Sequence, residues 1–248
     1  MIDINELKAR VYHGKVNNSL SAENWEEVIC HAMGAVWVAG DKYLADGILD
    51  NHILNIKTLG FKPTILKTKA NRDFLSDPAK FNPENQMMIQ RRTNLPVELD
   101  EQTSSPYDIG KATLNGFEDF VKESYRKFPG TNSVLDVIVR HGIDRRETKY
   151  LVDVDIFEHK FYDADELEWE EVLGGQNSRQ AGKRVAVEGY YNGKLVARRN
   201  GSNSGLYQTN YLIYKDLTKS TNNFTISIPL PQPATFDKER ILKEISSY

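Results

Sequence analysis

The stretch Leu44-Ala45-Asp46-Gly47-Ile48-Leu49-Asp50-Asn51-His52-Ile53-Leu54-Asn55-Ile56-Lys57-Thr58 constrains this chain more than any other. It reads as two apolar-rich strands joined by Asp50-Asn51. Both residue types tolerate the left-handed backbone that a two-residue hairpin loop demands. With that loop, Leu49 faces His52, and each step outward keeps the pairing until Asp46 stands opposite Asn55. Directly paired residues share a sheet face, with Cβ atoms about 4.5–5.5 Å apart. Lys57 lies two residues beyond Asn55 and shares its face. Ala45, Leu49, Leu54 and Ile56 are expected on the other face, as core. One hairpin should therefore gather a carboxylate, a carboxamide and an amine above an apolar back.

That trio suits phosphodiester hydrolysis. A divalent cation such as Mg²⁺ takes hard oxygen ligands, and Asp46 with the side-chain oxygen of Asn55 can supply two. The cation would stabilise charge on the phosphate and generate hydroxide. Lys57 can orient the attacking water or steady the developing negative charge. The bland reading of the same residues is the wet face of an ordinary surface hairpin.

The flanking pattern predicts an α/β protein, a central mixed β-sheet flanked by helices, with residues 1–248 forming one domain. A short amphipathic helix is expected over residues 4–12. A second follows over 22–33, with Ser21 as N-cap and Leu20 and Trp25 as hydrophobic staple. Its apolar residues Ala22, Trp25, Val28, Ile29, Ala32 and Met33 recur at three- and four-residue spacing, and Gly34 ends it. Strands are expected over 36–42, 43–49 and 52–58. Six prolines between residues 60 and 133 point to a loop-rich, partly helical elaboration containing one helix, 109–128. Strands are expected again over 134–141 and 150–157. Asn192-Gly193 centres a hairpin from 184 to 199. Further strands over 206–214 and 224–229 and a last helix over 237–245 complete the reading.

Bulk properties exclude several classes. No run approaches the roughly 18 apolar residues of a membrane span, and the N-terminus lacks the basic start and apolar core of a secretory signal. Cys30 is the only cysteine, so no intrachain disulfide can form, and a reducing cytoplasm is the expected setting. The net charge is −3, but its distribution is uneven. Residues 143–172 carry eleven acids against four bases, residues 173–219 eight bases against two acids, and residues 62–92 seven bases against three acids. Two basic segments could hold a polyanion while the acidic one faces elsewhere; solvated faces without a partner fit equally well.

The hairpin resembles the PD-(D/E)xK nuclease core, in particular that of type II restriction endonucleases. In that family a helix precedes a strand hairpin carrying Asp, then an acidic residue, any residue and Lys. Asp46 matches the first acid and Lys57 the lysine, with Ile56 between. Asn55 departs from the usual Asp or Glu, although an Asn-x-Lys variant occurs in the group. Ala45 stands where the motif has proline. Glu27, on the preceding helix, matches the place of an auxiliary acid; as a lone helical Glu it also reads as plain surface. The resemblance implies a Mg²⁺-dependent double-strand DNA endonuclease acting as a homodimer, with Asp46, Asn55, Lys57 and Glu27 as catalytic residues and Asp46 and Asn55 as metal ligands. A non-catalytic DNA-binding protein and a structure-specific nuclease are the alternatives.

A rival Glu-x-Lys lies in Glu158-His159-Lys160, with Asp136 or Asp144 as upstream partner. Asp153 and Asp155 alternate with Val152 and Val154, as on the wet face of an antiparallel strand. For base reading the polar turn after the long hairpin is the candidate: Arg198, Arg199, Asn200, Ser202, Asn203, Ser204, Tyr207, Gln208 and Asn210. Arg pairs with guanine and Asn or Gln with adenine in the major groove; these are also ordinary turn residues. Gln90, Arg91 and Arg92, with Lys67, Lys69 and Arg72, are candidates for backbone contacts.

Overall fold

The computed structural model describes residues 2–16, 22–38, 44–61, 87–91, 94–144, 149–201, 211–214 and 222–229. Two helices open the chain, α1 (Ile4–Val16) and α2 (Ala22–Met33). Asp3 caps α1 by accepting the backbone N–H groups of Asn5 and Glu6 at 2.9 and 3.0 Å. Short strands β1 (Val36–Trp37) and β2 (Gly47–Leu49) lead into the long β3 (His52–Phe61). After β4 (Met87–Arg91) comes the 22-residue α3 (Pro106–Lys127). Its start is chemically explicit: Ser105 Oγ accepts from the Asp108 backbone N–H at 3.1 Å, and Pro106 occupies the first turn, where no N–H is needed. The remaining strands are β5 (Ser133–Asp144), β6 (Lys149–Glu158), β7 (Glu168–Leu173), β8 (Arg184–Tyr191), β9 (Lys194–Asn200), β10 (Tyr211–Tyr214) and β11 (Asn222–Pro229).

The strands form two sheets. The first runs β1-β2-β3-β5-β6-β11 and the second β4-β10-β9-β8-β7. The first is mixed: β3 and β5 pair in parallel, and every other neighbour is antiparallel. The chain crosses from β3 to β5 by way of α3, as a parallel pair requires a long connection. Both faces of this sheet are covered. On one, α1 and α2 bury Leu7, Trp25 and Ile29 against Leu54, Ile56, Val137, Val152 and Ile226. On the other, Leu114, Phe117 and Val121 of α3 pack on Ile53, Val134, Ile138 and Phe157, and Val196 and Ala197 of the second sheet join the same cluster. The layers are thus α1/α2, first sheet, α3, second sheet, an α/β arrangement with a mixed sheet between helices.

Glycines set two close approaches. A Cβ on Gly47 would lie 2.4 Å from Cys30 Sγ, so only glycine lets α2 sit this close to β2. A Cβ on Gly110 would lie 2.3 Å from the Trp169 ring, which seats α3 on β7.

The elements agree with expectation over most of their length. The 184–199 hairpin turns at Asn192 (φ 51) and Gly193 (φ 72), both left-handed. The expected strands 36–42 and 43–49 are shorter, Val36–Trp37 and Gly47–Leu49, with 39–43 outside the described residues. β4 and β7 have no counterpart among the expected elements; β4 lies in the stretch that its prolines mark as loop, and β7 is too acidic to show a core face. The expected helix 237–245 lies outside the described residues, as do Ser21 and Leu20. Among the described residues no helix is long and apolar enough to cross a membrane.

Candidate metal centre and its surroundings

The hairpin forms in the expected register. Leu49 pairs with His52, Ile48 with Ile53 and Gly47 with Leu54. Asp50 alone of the two loop residues has positive φ, at 52°. The ladder ends one step early, because the Asp46 side chain takes over. Its N–H still donates to Leu54 O at 2.9 Å, but its carboxylate Oδ2 accepts the Ile56 N–H at 2.6 Å. Asp46 therefore plugs the notch where β2 leaves β3, close to the plane of the sheet.

Two charged side chains act on that carboxylate. Burial, and then the neighbouring carboxylate of Glu26 on α2, push the Asp46 acid up to about 7, against the lowering pull of the Ile56 N–H and of the Lys57 ammonium. Burial dominates because removing a carboxylate from water penalises its charged form. Cys30 Sγ, 3.6 Å from Asp46 O, lies in the same pocket of α2, and burial beside Asp46 and Glu26 pushes its thiol up to about 12. Burial and those acids favour the neutral thiol over the thiolate.

The α2 carboxylate that acts on Asp46 in this structure is that of Glu26. Glu27 lies at the helix surface, 3.7 Å from His31 one turn on. One residue along a helix is a rotation of about 100°, which turns Glu27 away from β2 and Glu26 toward it. Amphipathic spacing could have shown this: Glu26 falls one turn before Cys30, which is wholly buried.

Asn55 is placed differently from expectation. Its face of β3 is covered by α3, and the residue is only 7% exposed. The parallel ladder sets it beside Asp136 on β5. Asn55 Nδ2 donates to Asp136 Oδ1 at 2.9 Å, and Asp136 Oδ2 meets His159 Nδ1 at 2.7 Å. Lys57 shares the face and is half-buried. Of the apolar back, Leu54, Ile56 and Leu49 belong to the α1/α2 side as expected, whereas Ala45 joins the α3 side.

The rival Glu-x-Lys is not assembled. Glu158 pairs with Leu135 and Asp136 with Phe157, so the two acids occupy opposite faces. Glu158 is exposed, and the Lys160 ammonium lies over the rings of Tyr162 and Tyr191, 4.5 and 3.9 Å from their centroids. The side chain of Asp144 lies outside the described residues. Asp153 and Asp155 are not on a wet face. Both are buried, and both contact the buried guanidinium of Arg140 between them. A two-residue alternation marks a polar face but not what lies over it.

Three of the expected base readers are likewise enclosed or engaged. Arg199 is 3% exposed, with Glu101 3.9 Å away, and Asn200 is 1% exposed. Arg198 forms a cross-strand ion pair with Glu188 at 3.1 Å. As placed, the side chains of Arg199 and Asn200 are buried rather than presented on the surface. Ser202, Asn203, Ser204, Tyr207, Gln208 and Asn210 lie outside the described residues, as do Lys67, Lys69, Arg72 and Arg92; Gln90 and Arg91 belong to β4.

Among the described residues no group of three or more His, Cys, Asp or Glu side chains is placed to hold a metal ion. The acids near the notch are Asp46 and Glu26; Asn55 turns instead to Asp136 on the face covered by α3, so the expected trio of Asp46, Asn55 and Lys57 is not drawn together around one point. Two acids are too few for an all-protein Ca²⁺ or Zn²⁺ cage; Mg²⁺, which keeps several waters, can be bound through one or two carboxylates. Two carboxylates whose repulsion raises the pKa of one are also what a bound cation would relieve. Comparison with family models, characterised proteins and solved structures returns no match.

Proposed function

We propose that this protein is a Mg²⁺-dependent endonuclease that cleaves double-stranded DNA at specific sites, built on a PD-(D/E)xK core and working as a homodimer. One observation carries the reading: Asp46 sits where the hairpin opens, its carboxylate fixed on the Ile56 N–H, within electrostatic reach of the Glu26 carboxylate and the Lys57 ammonium. The arrangement of α2 before the hairpin, and of a mixed sheet with helices on both faces, supports it.

In this reading Asp46 and Glu26 would hold the cation. The cation supplies charge neutralisation at the phosphate and lowers the pKa of a water. Asp46 keeps one oxygen on the Ile56 N–H, so its orientation is fixed before any ligand arrives. Lys57 brings a positive charge to the same notch and steadies the charge that builds on the phosphate as water adds to phosphorus and an ester oxygen leaves. A homodimer would present two such notches to the two strands of a palindrome.

Digestion of a large plasmid with Mg²⁺ tests this. Wild type should give discrete fragments, Asp46→Ala and Lys57→Ala should abolish them, and Lys160→Ala should leave them intact. Absence of cleavage by wild type with Mg²⁺ or Mn²⁺ over a range of salt would refute the nuclease reading in favour of a DNA-binding protein. A smear instead of discrete fragments would favour a structure-specific nuclease.

A further inference from the structure

His159 carries a ring nitrogen that the fold encloses without a partner. The residue is only 7% exposed, and its Nδ1 meets Asp136 Oδ2 at 2.7 Å. Asp136 is completely buried, and its other oxygen accepts from Asn55 Nδ2 at 2.9 Å. A carboxylate accepts only, so the proton of a neutral His159 ring sits on Nδ1, facing Asp136. Nε2 is then a bare acceptor. It is shut off from solvent and has no hydrogen-bond partner among the described residues. Leaving a buried polar atom unpaired is destabilising, and native structures rarely keep one without a use.

The two ring nitrogens face different directions, so the bond to Asp136 turns Nε2 away from it. Around the ring stand Phe117 of α3, at a centroid distance of 5.5 Å, and Phe161, edge-on at 4.8 Å. With Leu114, Glu118 and Tyr162 they line a narrow cleft between α3 and the segment that follows β6. Its free space is about 10 Å³, the room of one water. A water there would have chiefly apolar neighbours, whereas buried waters ordinarily make about three hydrogen bonds. Phe161 is the exposed wall of the cleft. Its ring is 41% exposed and stacks on Phe117 at 6.0 Å and 24°. Exposed side chains change rotamer quickly, so this ring can turn outward. A phenol in its place would keep the aromatic contacts and bring the O–H donor that Phe161 lacks.

We propose that this cleft binds a small neutral phenol, an aromatic ring carrying a hydroxyl, with Phe161 as its gate. The hydroxyl donates to His159 Nε2, and Asp136 holds the imidazole in the tautomer that accepts. Leu114 and Phe117 contact the ring. The cleft lies on the α3 side of the first sheet, whereas α2 brings Glu26 to Asp46 from the other side. The inference therefore stands apart from the nuclease reading and does not depend on it.

Binding of p-cresol to the full-length protein tests this, followed by calorimetry and by the imidazole nitrogen NMR signals of histidine-labelled protein. p-Cresol should bind and should move the Nε2 signal of His159. Toluene, the same molecule without the hydroxyl, should bind at least about tenfold more weakly, because it leaves the buried nitrogen unpaired. Phe161→Ala removes the ring that must turn away, so it should bind p-cresol at least as tightly as wild type does. Failure of p-cresol to bind, equal affinity for toluene, or binding that leaves the His159 signals unmoved overturns the inference. Loss of binding in folded Phe161→Ala protein overturns the gate. Benzoate bound in place of p-cresol overturns the acceptor assignment, since an anion requires a proton on Nε2.

Discussion

Replacing Asp46 by Asn should make the protein more stable at alkaline pH while destroying its proposed activity. The carboxyl group ionises at about 7 in the folded protein against an ordinary 3.8. Below 3.8 it is protonated in both folded and unfolded chains and contributes nothing to the pH dependence. Between 3.8 and about 7 the unfolded chain releases the proton and the folded one keeps it, so stability falls as pH rises. Above that window the folded state carries the full cost of a buried anion, about 4 kcal/mol for a carboxyl whose ionisation is displaced this far. That is a large part of the roughly 5–15 kcal/mol that holds a typical domain folded. Asparagine removes the charge, and its side-chain oxygen can still accept the Ile56 N–H. Urea unfolding in EDTA, followed by tryptophan fluorescence, should show the variant close to wild type near pH 4 and more stable by up to about 4 kcal/mol at pH 8. Adding Mg²⁺ at pH 8 to about a hundred times its dissociation constant should return about 2.7 kcal/mol to wild type and nothing to the variant. An equal stability difference at both pH values, or a variant weaker than wild type at pH 8, would refute the electrostatic argument.

Other perturbations have directions set by the same structure. Arg140→Met leaves Asp153 and Asp155 facing each other in the core without their shared cation; unfolding free energy should drop by about 3–5 kcal/mol, and a drop below about 1 kcal/mol would contradict the burial of a charged triad. Gly47→Ala drives a methyl into Cys30 Sγ. It should cost about 1–3 kcal/mol alone and much less in a Cys30→Ala background, a non-additivity that a double-mutant cycle would detect. Arg199→Met should lower the melting temperature and leave any fragment pattern unchanged, because the side chain is enclosed beside Glu101; an altered cleavage pattern would mean that it does read DNA. Glu26→Gln should lower the pKa of Asp46 and weaken Mg²⁺ activation, whereas Glu27→Gln should do neither, as followed by pH-dependent unfolding and metal titration of cleavage.

Much of this protein was legible from short-range chemistry. Asp50-Asn51 and Asn192-Gly193 announce their turns because few residues accept left-handed backbone, and a turn of known length sets the register of both strands. That is why the pairing of Leu49 with His52, and hence the nearness of Asp46 to the β3 backbone, follows from the residues alone. The α2 face follows from three- and four-residue spacing, and the strands Ser133–Asp144 and Lys149–Glu158 from their Val- and Ile-rich alternation.

Tertiary structure decided what covers each polar face. Asn55, Asp136, Asp153 and Asp155 carry the alternation of a wet surface, yet all four are buried, in two clusters, Asn55–Asp136–His159 and Asp153–Arg140–Asp155. Joining Asn55 to Asp136 took a parallel pairing across 81 residues, which no local pattern encodes. Which of Glu26 and Glu27 acts on Asp46 depended on how α2 rotates against β2, which it approaches closely where Cys30 faces Gly47. Local sequence determines the conformation of a hairpin because its constraints act within a few residues. The chemistry of the groups on that hairpin depends on their distance from water and from other charges, and only the packing of distant segments sets those distances.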